Sequence, residues 1–174
     1  NTAVGIYSTA EKIIRAMGNF QAPIINALFP YVSNSMQVNR AETFKMLSKV
    51  KIVAVVLLGV FTLLGYIFAY EIFQIIFNKD LKESIVVFRI LIFFPLLSFL
   101  DQYYGKLILL TNGMESQFFK VFFITSILSL ILSVGLTYFF SYRGTAVANL
   151  IIQFLVFLGM YFYARTQVTR THAN

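Results

Sequence analysis

Three stretches of this chain, residues 52–70, 121–142 and 144–164, hold no charged side chain. Each comes near the ~20 apolar residues a helix needs to cross a bilayer core of about 30 Å. A backbone in hydrocarbon must satisfy its own N–H and C=O groups, so such runs fold as helices or as strands of a closed barrel. Barrel strands would be about ten residues long and would alternate in polarity. These runs are longer and do not alternate. Hydrophobic residues make up 59% of the chain and charged residues 12%, against about a quarter charged in a soluble domain. The expectation is an all-α integral membrane protein.

Five helical segments are predicted, over residues 4–33, 50–77, 84–111, 118–140 and 145–165, forming one transmembrane unit across residues 1–174. Residues 37–48 place Val38, Phe44, Met46 and Leu47 among basic side chains. Two readings stand there: a short helix lying at the membrane interface, or a solvated loop. Connectors on one side carry Arg40, Lys45, Lys49 and Lys51 against Glu42, then Lys120, Arg165 and Arg170. The opposite side holds Lys79, Lys82 and Arg143 with Asp80 and Glu83. Excess Lys and Arg marks the cytoplasmic face, which puts the amino end outside and the carboxyl end inside. The sequence starts at Asn1, and no charged leader with an apolar core precedes the first segment. A piece of a longer membrane protein, with preceding helices, is therefore expected.

The first segment carries Glu11, Lys12 and Arg15 within its apolar run. Ionisable groups at membrane depth are costly and usually face protein or a water-filled cavity. Ser8, Lys12, Arg15, Asn19, Ala22, Asn26 and Ser33 recur at threes and fours, which aligns them on one helical stripe. Glu11 can pair with Arg15 at i,i+4. Pro23 and Pro30 interrupt the backbone ladder. A cavity wall whose Lys12 and Arg15 attract an anion is one reading, since guanidinium can grip phosphate with two parallel bonds. The plainer one is that both snorkel to headgroups and anchor the helix.

In the third segment Ser98, Gln102 and Lys106 are spaced by four, Asp101 adjoins Gln102, and Arg89 stands near one end. Asp101 and Lys106 are five apart and cannot meet head-on in an α-helix, so each is expected to find a partner on another helix. Arg89 and Lys106 also suit snorkelling. Asp101 serves either proton or cation coupling or the neutralisation of a buried base. Ser126, Ser129, Ser133 and Thr137 form a small-residue stripe suited to close helix packing, and Asn149 with Gln153 can bond across helices or line a cavity.

Several chemistries find no footing. The lone His172 sits in a polar tail, and there is no cysteine, so an imidazole triad, a disulfide or a Cys/His metal site cannot be assembled. No glycine-rich phosphate loop occurs. The net charge of +7 belongs to the connectors and follows topology, not nucleic-acid binding.

The run VGIYSTAEKIIRAMGNFQAPIINALFPYVSNSM, residues 4–36, resembles a helix in the second half of the O-antigen and related polysaccharide flippases, within the multidrug/oligosaccharidyl-lipid/polysaccharide exporter superfamily. IFNKDLKESIVVFRIL, residues 76–91, is similar to the family's outer loop, with Asn78 where Gly is common. YRGTAVANLI, residues 142–151, is similar to the start of its last helix. The resemblance implies a twelve-helix transporter of two lobes, of which this chain would supply helices eight to twelve, in the bacterial inner membrane. It implies export of undecaprenyl-pyrophosphate-linked repeat units by alternating access, and not an enzyme. Lys12 and Arg15 match the family's charged first-helix motif and lead the cavity candidates, followed by Glu11, Asn19, Asn26, Arg89, Asp101 and Lys106. The implied partners are the lipid-linked oligosaccharide, membrane lipids, the preceding helices and the polymerase machinery, with no organic cofactor and either protons or sodium driving the cycle. A drug exporter of the same superfamily and a membrane enzyme of polysaccharide assembly are the alternatives. The enzyme would want a large outer loop, and the outer connectors are short.

Overall fold

The computed structural model describes residues 2–77 and 81–171. Asn78, Lys79, Asp80 and His172 lie outside the described residues, as does the side chain of Arg170. Every element among the described residues is helical, as the apolar runs require, and the protein is an all-α membrane protein. Three helical stretches are long and apolar enough to cross a bilayer: Arg40–Ile67, Lys82–Asn112 and Glu115–Thr166.

Proline decides where the first segment divides. Helix α1 spans Thr2–Asn19 and α2 spans Gln21–Val38. Pro23 has no N–H to return to the carbonyl of Asn19 and its ring crowds that carbonyl, so α1 stops there. Phe20 stays in the right-handed region (φ −74°, ψ −21°), and the chain continues without a loop. Pro30 likewise leaves a gap in the backbone ladder but is accommodated inside α2.

Helix α3 spans Arg40–Ile67, which corrects the reading of residues 37–48 as a separate interfacial helix or a loop. The reason is a cap. Asn39 leaves helical geometry (φ −144°, ψ 86°), its Oδ1 accepts from the Glu42 N–H at 3.2 Å, and its Nδ2 donates to Glu42 Oε2 at 3.0 Å. This reciprocal pairing satisfies an orphan donor and starts α3 ten residues ahead of the predicted span. Helix α4, Ala69–Phe77, follows an offset at Phe68.

The third predicted segment is continuous but changes its hydrogen bonding along its length. Helix α5 spans Lys82–Leu91 and α6 spans Phe94–Gln102; a π-helical stretch, Tyr103–Leu109, and a 3₁₀ turn, Leu110–Asn112, complete it. Pro95 ends α5 at Leu91 as Pro23 ends α1, four residues back. Side chains from neighbours bond carbonyls around this break: Thr62 Oγ1 donates to the Ile92 carbonyl at 3.4 Å and Gln21 Nε2 to the Pro95 carbonyl at 3.0 Å. In a membrane interior such replacements are what permit a broken ladder.

Helix α7 spans Glu115–Thr171 and folds back on itself at Ser141, whose φ of 53° and ψ of −136° lie far from helical values. The predicted helices 118–140 and 145–165 are its two arms. Val121 packs against Gly159, and Thr137 Oγ1 lies 2.8 Å from Thr145 Oγ1, so the arms run antiparallel. A Cβ at Gly144 would overlap the Leu136 carbonyl, which explains a glycine at this reversal. Thr125 is buried on the first arm while Ser126 is exposed, so the small-residue stripe serves the arm contact only in part.

The α5–α6 rod is the axis of the bundle. In its apolar window 44% is buried, against 11% for α3 and for α7. Phe88, Leu91 and Ile92 join Ala10, Ile14 and Phe73 in one core; Phe99, Tyr103 and Leu107 join Ile25, Leu47, Val121 and Met160 in another. Val56, Leu57 and Val60 on α3, and Phe123, Leu130, Ile131 and Val134 on α7, remain exposed. A patch of that extent would be a liability in water and is the expected surface against acyl chains.

Candidate functional site

A cavity of about 590 Å³ opens between α1, the α5–α6 junction and the second arm of α7. Tyr7, Glu11, Ile14 and Gly18 form its α1 face at spacings of three and four, with Arg15 and Asn19 on the flank. Leu91, Phe94 and Ser98 form the opposite wall at the Pro95 break, and Asn149 comes from α7. Arg15 Nη2 donates to Glu11 Oε1 at 2.8 Å; the arginine side chain is 74% exposed and the glutamate 28%. Asn149 Nδ2 donates to the Tyr7 hydroxyl at 2.6 Å, tying α7 to α1.

Of the residues singled out in the sequence, Glu11, Arg15, Asn19, Ser98 and Asn149 line this cavity. Lys12 is exposed and stands outside its lining, as does Asn26. Helical phase explains this: Lys12 lies about 100° from Glu11 around α1. The polar stripe runs along the flank of the cavity and not through its centre. One cation therefore lines the cavity, and it is already paired.

Asp101 sits one turn beyond Ser98. Its Oδ2 accepts from Gln153 Nε2 at 2.6 Å, and its Oδ1 is buried with no protein partner. The expected cross-helix partner is thus an amide, not a buried base. Lys106 departs from expectation. Its Nζ donates to Gln102 Oε1 at 3.4 Å, on the same rod, and Gln102 Nε2 donates to the Ser98 carbonyl at 3.2 Å. The fourfold spacing of Ser98, Gln102 and Lys106 becomes a polar line that ends at the cavity. Arg89 is exposed with its guanidinium 5.4 Å from the Tyr66 ring, a cation–π arrangement at the basic-favouring carboxyl end of α5.

A second cavity, about 830 Å³, lies at the other end of the bundle and was not legible as a site from the sequence. Its α3 face is Ala41, Phe44, Lys45, Ser48 and Lys51, again at threes and fours. That periodicity becomes a signal once residues 40–51 are read as helix. Among the described residues no cluster of three or more His, Cys, Asp and Glu could hold a metal ion.

The chain is similar to the "Putative O-antigen transporter" of Escherichia coli (strain K12). The two are 27% identical over 164 residues, which is 94% of this chain and 40% of the relative. This bears out the family resemblance carried by the sequence. The chain spans 40% of the length of that curated relative. No family model matches the chain, and no solved structure matches it.

Proposed function

We propose that this chain is part of a transporter that moves lipid-linked saccharide units across a bacterial inner membrane by alternating access. The observation that carries the reading is the polar cavity set in an apolar bundle, with Tyr7, Glu11, Arg15 and Asn19 of α1 meeting Ser98 and Asn149 on two stretches apolar enough to span a bilayer. Such groups are costly against lipid and gain their place where a polar cargo or water meets them. The paired Glu11 and Arg15 offer acceptors and donors together, which suits sugar hydroxyls better than a lone anion. Similarity to a relative named as an O-antigen transporter supports the same reading. In this reading a partner lobe closes the cavity, the basic connectors face the cytoplasm, and Asp101 is the carboxylate through which protons or sodium would couple to the cycle. The undecaprenyl-pyrophosphate anchor belongs to this proposal as well.

Complementation of a transport-deficient strain by the full-length protein tests it, scored by surface polysaccharide at matched expression. Glu11→Gln combined with Arg15→Ala should reduce polysaccharide by about tenfold or more, as when transition-state or cargo contacts are lost. Lys12→Ala should stay near wild type. Normal polysaccharide from the double variant would sink the proposal.

A further inference from the structure

From the second cavity, at the basic end of the bundle, we infer a binding site for the phosphate-bearing headgroup of an anionic lipid. Its wall carries Arg40, Lys45, Lys49, Lys51 and Arg165 and no carboxylate. Two of these cations are held by neutral partners, which fix their positions without cancelling their charge. Arg40 Nη2 donates to Asn112 Oδ1 at 2.6 Å. Lys51 Nζ lies 3.5 Å from the Tyr104 hydroxyl and 5.8 Å from the ring centroids of both Tyr103 and Tyr104. Among the described residues, no carboxylate comes within 4.0 Å of Arg40, Lys45, Lys49 or Lys51. Glu42 is engaged by Asn39 instead.

The aromatic wall is built, not incidental. Tyr104 meets Tyr103 edge-on at 5.0 Å and Tyr161 at 5.2 Å. It lies in the π-helical stretch, whose wider turn is a feature often found at functional sites. Gly105 lets that stretch approach α7 closely, because a Cβ there would lie 2.9 Å from the Phe118 ring.

Position argues for a lipid over a soluble anion. The charges end at Lys51, and the next residues of α3, Ile52, Val53, Val56 and Leu57, are exposed and apolar. The cavity thus straddles the boundary where a headgroup meets its acyl chains. Basic pockets between spanning helices recognise lipid phosphates in this way. A volume near 830 Å³ falls within the ~300–1,000 Å³ of small-ligand sites and exceeds what one phosphate fills. Two sources share the chemistry: a bulk anionic phospholipid, or a polyprenyl pyrophosphate of the kind that carries saccharides. The inference does not depend on the transport reading, since its residues are separate from the Arg15 cavity.

Native mass spectrometry of the full-length protein from detergent micelles tests it, with phosphatidylglycerol, a polyprenyl pyrophosphate and phosphatidylcholine as probes. At least one of the first two should be retained about tenfold more than phosphatidylcholine. Lys45→Gln with Lys51→Gln should weaken that retention by about tenfold or more, at roughly fivefold for each lost charge. Lys12→Gln, which removes a cation outside both cavities, should not. Preference for phosphatidylglycerol assigns the site to membrane lipid, and preference for the polyprenyl pyrophosphate assigns it to cargo loading. Equal retention of phosphatidylcholine, or full retention by the double variant, overturns the inference. So does displacement by inorganic pyrophosphate at equal concentration, which would mean a free-anion site. Lys45→Arg with Lys51→Arg keeps both charges and should keep binding; loss there too would assign the effect to packing and overturn the role of charge.

Discussion

Gln153 donates a 2.6 Å hydrogen bond to one oxygen of Asp101 across the interface of α6 with the second arm of α7, while the other oxygen of that carboxylate stays buried and unpartnered. Half of a buried carboxylate left without a donor is an expensive arrangement. Purely structural duty does not require it, because an asparagine would keep an acceptor for Gln153 and remove the charge.

Asp101→Asn should therefore leave thermal stability of the purified full-length protein unchanged or slightly raised, and should abolish ion-coupled uptake into vesicles. Asp101→Leu should instead destabilise by about 1–3 kcal/mol, because it strands the Gln153 amide. Unchanged transport by a folded Asp101→Asn protein would assign the carboxylate to packing alone.

A second cross-helix bond, from Asn149 to the Tyr7 hydroxyl at 2.6 Å, anchors α7 to α1 beside the cavity. Tyr7→Phe removes the acceptor and leaves a half-buried amide, at a cost of about 1–3 kcal/mol. Pairing it with Asn149→Leu should recover part of that loss. A double-mutant cycle by thermal melts should give a coupling of about 0.5–3 kcal/mol, and additive effects would mean that the bond carries no energy of its own.

Much of the architecture was legible because hydrophobic length is a strong signal in membranes. The two arms of α7 are separate runs with Arg143 and Gly144 between them, and they fold as two antiparallel arms. Helical phase was harder to read. Where a span is apolar all round, as α3 is from Ile52 onward, nothing in the pattern says which face meets protein. The α1 stripe was read along Lys12, yet the cavity is lined along Glu11, because burial of Ala10 and Ile14 against α5 and α7 sets the rotation. The Pro95 break is met by side chains that α2 and α3 bring to the Pro95 and Ile92 carbonyls, which is tertiary information. The second cavity was hidden because residues 37–48 read as an interfacial helix or a loop and their basic side chains as a mark of topology; the face they share appears only once Asn39 caps α3.

Orientation remains open to a direct chemical test, since the chain contains no cysteine. A single cysteine at Glu42 should resist an impermeant thiol reagent in intact cells, and one at Lys82 should react, in a full-length protein otherwise free of cysteine. Both positions are exposed, so protection reports the membrane and not burial. The reverse pattern would invert the bundle and place the basic cavity on the outer leaflet.

Gly105 and Gly113 separate two physical reasons for glycine. At Gly105 the backbone is helical and the space is taken: a Cβ would lie 2.9 Å from Phe118 and 3.3 Å from the Met160 sulfur. Gly105→Ala should overpack the contact between the π-helical stretch and both arms of α7, costing about 1–3 kcal/mol. Gly113 has open space around it but a φ of +71°, the left-handed conformation that ends this rod. Gly113→Ala should cost about 1 kcal/mol, and Gly113→Asn less, because asparagine tolerates that region. Since Phe118 and Met160 can each shift, a second change that shortens the facing side chain, Met160→Ala, should relieve part of the Gly105→Ala loss and none of the Gly113→Ala loss. Thermal melts of the four single variants and two doubles distinguish these outcomes, and equal rescue of both alanine variants would mean that Met160 softens the bundle generally and does not act through contact with Gly105.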